Sequence, residues 1–195
     1  KAKMLQMGVD EPTIGFLTDA MAVPEQTTVT VADLVHPRVE CEVAFVLGAD
    51  LPTEGCTVDE VAAATAFVVP AIEIIDSRYE NFSFDLPNVI ADNSSSTRFI
   101  TGGRMADVSD LDLKNLGVVM EINGEVVEVG AGAAVLGHPA ASVAMLANML
   151  GERGEELPAG SFVMIGAITA AVQVNKGDSF CVRYQDLGTV SGKFV

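Results

Sequence analysis

The chain has 195 residues, a hydrophobic fraction of 49%, and 27 acidic against 11 basic residues, for a formal net charge of −16. That length suits one domain with an ample core, and the acidity excludes nucleic acid and anionic membrane surfaces as partners, because both select clustered Lys and Arg. No apolar run approaches the roughly 18 to 20 residues that span a bilayer, and the three cysteines, Cys41, Cys56 and Cys181, form neither a CxxC pair nor an even set, which excludes a disulfide framework or a zinc site and suits a reducing cytoplasm.

The chain opens on Lys1 rather than Met, shows no secretory signal, and reads as the remainder of a longer one. The first strong element is a strand over 39–47, in which Glu40 and Glu42 share one face while Val39, Cys41, Val43 and Phe45 share the other. Thr57-Val58-Asp59-Glu60 has the form of a capping box and predicts a short helix into the alanines that follow. A second strand over 66–75 is apolar on both faces except for Glu73. The segment 117–129 alternates on either side of Asn123-Gly124, a pair that favours a type I′ turn because both residues must take positive φ. A helix is expected after Pro139, with Val143, Met145, Leu146, Met149 and Leu150 as its apolar face and Gly151 ending it. Strands follow at 161–165 and 179–195. Many strands with few, irregularly placed helices predict an α+β domain on a mainly antiparallel, curved or barrel-like sheet.

The chemistry concentrates on three carboxylates. Glu40-x-Glu42 is followed 31 residues on by Glu73, and a carboxylate in so apolar a strand costs several kcal/mol unless it is protonated, paired or bound to a cation. A solvated strand face accounts for Glu40 and Glu42 alone; Glu73 tips the reading to a divalent metal, and an all-oxygen donor set suits Mg²⁺, with Mn²⁺ second, rather than zinc. Asp76 offers a fourth acid or a partner for Arg78. In His36-Pro37-Arg38, just ahead of the first two glutamates, the imidazole suits general acid–base work and the guanidinium a carboxylate clamp, against a purely structural role for a His before Pro. His138-Pro139 carries the same ambiguity at a helix entrance. Small-residue runs at 130–137 and 166–171 allow close backbone approach, to a ligand or simply to neighbouring protein. Phosphate-loop, nucleophile-elbow and dinucleotide fingerprints are absent from the sequence.

These residues carry a resemblance. His36-Pro-Arg-Val-Glu40-Cys-Glu42-Val-Ala-Phe is similar to the H-P-[RK]-x-E-x-E motif of the fumarylacetoacetate hydrolase superfamily, in its hydratase and decarboxylase branch, and Glu73 in Ile72-Glu-Ile-Ile-Asp76-Ser77-Arg78 resembles that family's third metal ligand. Asp76–Phe82, Ala91–Arg98 and Thr101-Gly-Gly-Arg104-Met resemble the decarboxylases more than the hydratases.

The resemblance covers nearly the whole chain and implies a β-rich fold with a rolled mixed sheet. It implies Mg²⁺-dependent decarboxylation of 2-oxohex-3-enedioate, a small dicarboxylate 2-oxo acid, to 2-hydroxypenta-2,4-dienoate in aromatic catabolism. Glu40, Glu42 and Glu73 would be the metal-binding and catalytic residues, with Thr169, Asn93 and Arg78 as substrate contacts, unless Arg78 only pairs with Asp76 or Glu80. It also implies a complex with the hydratase that consumes the product. The alternatives are that hydratase itself, an acylpyruvate-type hydrolase, or a non-catalytic partner subunit.

In one respect the chain departs from the family. The family's lid lysine, in a K-x-G-L-T-S segment, lies just upstream of the stretch that Lys1-Ala2-Lys3-Met4 resembles, so the resemblance predicts a single catalytic domain over 1–195 lacking a segment of roughly 60 to 70 residues in front.

Overall fold

A computed structural model of the chain describes residues 12–102 and 104–195; Lys1–Met4 and Gly103 lie outside the described residues. The strands are β1 (Thr28–Val29), β2 (Arg38–Leu47), β3 (Thr65–Ile75), β4 (Ser96–Thr101), β5 (Gly117–Ile122), β6 (Glu125–Ala131), β7 (Phe162–Met164), β8 (Val172–Gln173), β9 (Ser179–Tyr184) and β10 (Gly188–Phe194). Among the described residues three α-helices accompany them: α1 (Val58–Ala64), α2 (Leu86–Ala91) and α3 (Pro139–Gly151).

The strands form two five-stranded sheets. One runs β4-β3-β2-β7 with β8 also on β2, and its pairs are all antiparallel. The other runs β1-β10-β9-β5-β6 and is mixed, because β1 lies parallel to β10. The barrel-like expectation is corrected here: among the described residues neither sheet closes on itself. Each has an apolar face, and one cluster holds Val39, Cys41, Val43 and Phe45 of β2, Ile72 and Ile74 of β3, Val118 and Met120 of β5, and Phe180, Val182 and Tyr184 of β9. The Tyr184 hydroxyl crosses this core to donate to the Ala71 carbonyl on β3.

Local chemistry accounts for most elements. Thr57 caps α1 reciprocally with Glu60, and Asn123 and Gly124 turn the β5–β6 hairpin at φ 53° and 84°. The run 179–195 folds as two strands, since Gln185–Leu187 supply a turn with Asp186 at φ 60°. Strand β4 is missing from the sequence reading because Ser96-Thr97-Arg98 carries no hydrophobic alternation; its pairing with β3 makes it a strand.

Helix α3 departs from expectation in two ways. Its buried face is Ala140, Val143, Ala144 and Ala147, with Leu146 and Leu150 flanking, while Met145 and Met149 are only half-buried. Small residues let it pack closely over the core beside α1. Gly151 lies within the helix, and the left-handed residue is Gly154. The stretch Gly132–Gly151 is, against the sequence reading, long and apolar enough to cross a membrane by length and composition; in the fold it is broken, with a 3₁₀ turn at Gly132–Ala134 and an α-helix of 13 residues, about 20 Å long, from Pro139.

A methyl group added at Gly151 would sit 1.7 Å from the Thr53 carbonyl oxygen. Gly→Ala in a helix ordinarily stabilises by up to about 1 kcal/mol; here Gly151→Ala is expected to destabilise by about 2 to 3 kcal/mol through the forced backbone shift. Denaturant unfolding of both proteins checks the sign.

Candidate metal centre

Strands β2 and β3 pair so that Glu40 and Glu73 are direct cross-strand partners, and Glu42 faces Ala71 one row further along. Strand parity sends all three carboxylates away from the shared core. They are nonetheless buried, at 0%, 1% and 9% exposure; Phe99 of β4 and Phe162 of β7, which share this face, meet at 5.5 Å between ring centroids, and the segment after β7 reaches Glu42. One oxygen from each lies within 4.8 Å of the others. Three carboxylate oxygens that near one another could hold a small hard cation such as Mg²⁺, which takes oxygen ligands. Like charges directly opposite on a strand pair repel, and a divalent cation is the simplest neutraliser. The donor set fits a hard ion. Cys41, the one thiol on this stretch of β2, lies on the core face with its pKa pushed up to about 12, chiefly by burial, and is no ligand.

The segment after β7 shapes the centre. At residue 165 the chain leaves the regular ladder with β2 and rejoins it at β8. Across the gap the Gly166 N–H donates to Glu42 Oε2 at 2.9 Å, the Ile168 N–H donates to the Cys41 carbonyl at 2.8 Å, and Thr169 Oγ1 accepts from the Cys41 N–H at 3.4 Å. Gly166 sits at φ 88° with open space where a Cβ would be, so its freedom serves backbone conformation. In the other small-residue run, Gly130 meets Ile168 and Gly132 meets Leu113, so the close approach is to protein.

The remaining expected residues find other partners. Thr169 is buried beside β2 between the first two glutamates. Arg78 pairs with Asp92 at 3.1 Å, not with Asp76 or Glu80, and donates to the backbone carbonyls of Asp76 and Asp92. Asp76 instead accepts from the Val35 and His36 N–H groups at 2.8 and 2.7 Å, fixing the chain where it enters β2. Asn93 spends its amide on both backbone groups of Phe16. His138 caps α3 by accepting from the Ala140 N–H, with its pKa lowered by burial, then by Lys114. His36 stacks on Phe82 at 4.6 Å between ring centroids.

The role of Asp92 escaped the sequence reading. Asp92 accepts from Ser77 and Ser95 hydroxyls as well as pairing with Arg78, and Asn93, Ser94 and Ser95 run consecutively at φ 53°, 57° and 60°. The signal was the Asp-Asn-Ser-Ser run, whose side chains tolerate left-handed backbone by bonding locally.

Comparison with known proteins agrees with this geometry. The family model described as fumarylacetoacetate (FAA) hydrolase C-terminal matches residues 3–195. A 4-oxalocrotonate decarboxylase of Pseudomonas sp. (strain CF600) is 63% identical over 194 residues, covering 100% of this chain and 74% of the relative. The 2-keto-4-pentenoate hydratase 1 of Dechloromonas aromatica (strain RCB) is 42% identical over 194 residues, again 100% of this chain and 74% of the relative. Among solved structures, the 4-oxalocrotonate decarboxylase from Pseudomonas putida G7, complexed with magnesium and adipate, superposes with a TM-score of 0.94 at 60% identity over 100% of this chain and 74% of that one. With a match of that extent and a carboxylate triad in register across β2 and β3, this chain belongs to the fumarylacetoacetate hydrolase family.

Proposed function

We propose that the protein is a Mg²⁺-dependent carboxy-lyase that converts 2-oxohex-3-enedioate into 2-hydroxypenta-2,4-dienoate and CO₂ in the breakdown of aromatic compounds. The observation that carries this reading is the buried triad of Glu40, Glu42 and Glu73 in a chain 63% identical to a 4-oxalocrotonate decarboxylase but 42% identical to a hydratase. We assign the three glutamates as metal ligands. Held there, magnesium would supply positive charge to stabilise the negative charge that develops as the bond breaks. The C5–C6 bond of the substrate breaks, its pair forms the C4–C5 double bond, the C3–C4 π electrons move to C2–C3, and the 2-oxo oxygen takes up one proton as CO₂ leaves.

The chain's own residues hold the reacting ends. The Gly166 N–H orients Glu42, and Thr169, its oxygen already accepting from Cys41, has a hydroxyl proton left to donate toward a substrate carboxylate. Half-buried Phe67, Phe162 and Met164, packed on Ala44, Val69 and Ala71, line the sheet face beyond Glu42 and exclude water from that side. Arg78 and Asn93, bound to Asp92 and Phe16, are proposed to act by shaping the wall of the site rather than by touching substrate. Cys41, Cys56 and Cys181, all free thiols, suit a cytoplasmic enzyme. A dienol product favours a complex with the hydratase that consumes it.

Two outcomes test this. CO₂ release from 2-oxohex-3-enedioate is expected with Mg²⁺ and not with excess chelator; metal-dependent hydration of the dienol to 4-hydroxy-2-oxovalerate without CO₂ release would move the assignment to hydratase. Glu73→Gln is expected to weaken Mg²⁺ binding on the order of 100-fold by calorimetry and to abolish turnover while the protein still unfolds cooperatively. Unchanged Mg²⁺ affinity in that variant would refute the ligand assignment.

A further inference from the structure

The face of the sheet that carries the glutamates is organised in rows. Across β8, β2, β3 and β4, Gln173, Arg38, Ile75 and Ser96 are register partners; the next row on the same face is Glu40, Glu73 and Phe99, and the next Glu42, Ala71 and Thr101. Beyond these lies the row of Met164, Ala44 and Val69. The face is therefore cationic and polar at one end, acidic in the middle and apolar at the other. Among the described residues of these strands, Arg38 is the cation on this face: Arg98, the other strand arginine, pairs with Ile74 and takes the opposite parity.

We infer that Arg38, stacked on Phe82 and flanked by His36 and Ser96, is the subsite for the distal carboxylate of the dicarboxylate substrate, a specificity element that rests on the decarboxylase reading above. The spacing matches. Alternate strand residues are about 6.7 Å apart, and in an extended six-carbon 2-oxo dioate the carbon of the far carboxylate lies roughly 5 Å from the 2-oxo carbon, so a head group over the triad puts its tail over the Arg38 row. The charge balance also asks for it. Three carboxylates and a divalent ion leave a net negative centre in a chain of net charge −16, and a dianion needs a second positive group to settle there.

The side chains are prepared for this role. The Arg38 guanidinium lies 4.1 Å from the Phe82 ring centroid, a cation–π contact that holds it in place, and a guanidinium's planar fork suits a bidentate carboxylate. Phe82 packs with Ile75, the register partner of both Arg38 and Ser96. Two polar atoms at this end, His36 Nε2 and Ser96 Oγ, are buried and have no hydrogen-bond partner, although buried polar groups are nearly always satisfied. A bound carboxylate would accept from both. Because the distal group departs as CO₂, the product lacks what Arg38 holds, so the interaction selects substrate over product.

The test uses two unreactive probes that share the 2-oxo acid head, 2-oxohexanedioate and 2-oxohexanoate, titrated calorimetrically into the Mg²⁺-loaded protein. The intact protein is expected to prefer the dioate by about 10- to 100-fold. In Arg38→Met that preference should fall to within about threefold of unity with 2-oxohexanoate binding retained, and Arg38→Lys, which keeps the charge but not the planar fork, should fall between. A preference kept in Arg38→Met overturns the inference and leaves the decarboxylase reading standing, placing the carboxylate toward the Phe162 and Met164 end. No preference in the intact protein also overturns the inference, and CO₂ release decides the decarboxylase reading separately.

Discussion

Everything at this site depends on holding three carboxylates together away from bulk water. Glu40 and Glu73 are direct partners on adjacent antiparallel strands, and their oxygens and that of Glu42 fall within 4.8 Å of one another. Isolated, such an arrangement is strongly unfavourable, because like charges repel most where the surroundings polarise least. The protein bears that cost through β2 and β3, ten and eleven residues long, which bury their opposite faces in the core shared by the two sheets. That pair of strands keeps the three acids within reach of one another.

The surroundings of this pair convert rigidity into a shaped site. On one side Tyr184 reaches through the core to the Ala71 carbonyl, tying the second sheet to the strand that carries Glu73. On the other, the chain between β7 and β8 leaves the ladder to bring the Gly166 N–H to Glu42 and Thr169 to Cys41. Asp76, which the sequence offers as a fourth acid, holds backbone instead, and Asp92 holds neighbouring side chains. Asp76 bonds the entry to β2, and Asp92 gathers Ser77, Arg78 and Ser95. The left-handed turn at Asn93–Ser95 costs of order 1 kcal/mol or more per residue and stays in place because Asp92 and the Phe16 backbone bond it from both sides.

The site face is graded along its length, from Arg38 at one end, through the rows of Glu40, Glu73 and Glu42, to Ala44, Val69, Phe162 and Met164 at the other. In the reading proposed above, the acid rows would meet the head of a 2-oxo acid and the flanking rows would decide which tail is accepted.

Much of this was legible in the residues themselves. Alternation in 39–47, the capping box at Thr57, the Asn123-Gly124 turn and the misplaced charge of Glu73 each follow from short-range rules of backbone geometry and burial, which act within a few residues and need no knowledge of the fold. Family likeness, too, was carried by local strings. Partnership across the chain was not legible. That Asp92 and not Asp76 takes Arg78, that alanines rather than methionines line the buried face of α3, that Gly151 meets Thr53, and that Ser96 falls in one row with Arg38 all depend on register between segments far apart in sequence. Residue type and spacing marked three acids as candidate ligands for one cation; only the pairing of β2 with β3 decided that they meet, because that register joins residues 31 and more apart in sequence.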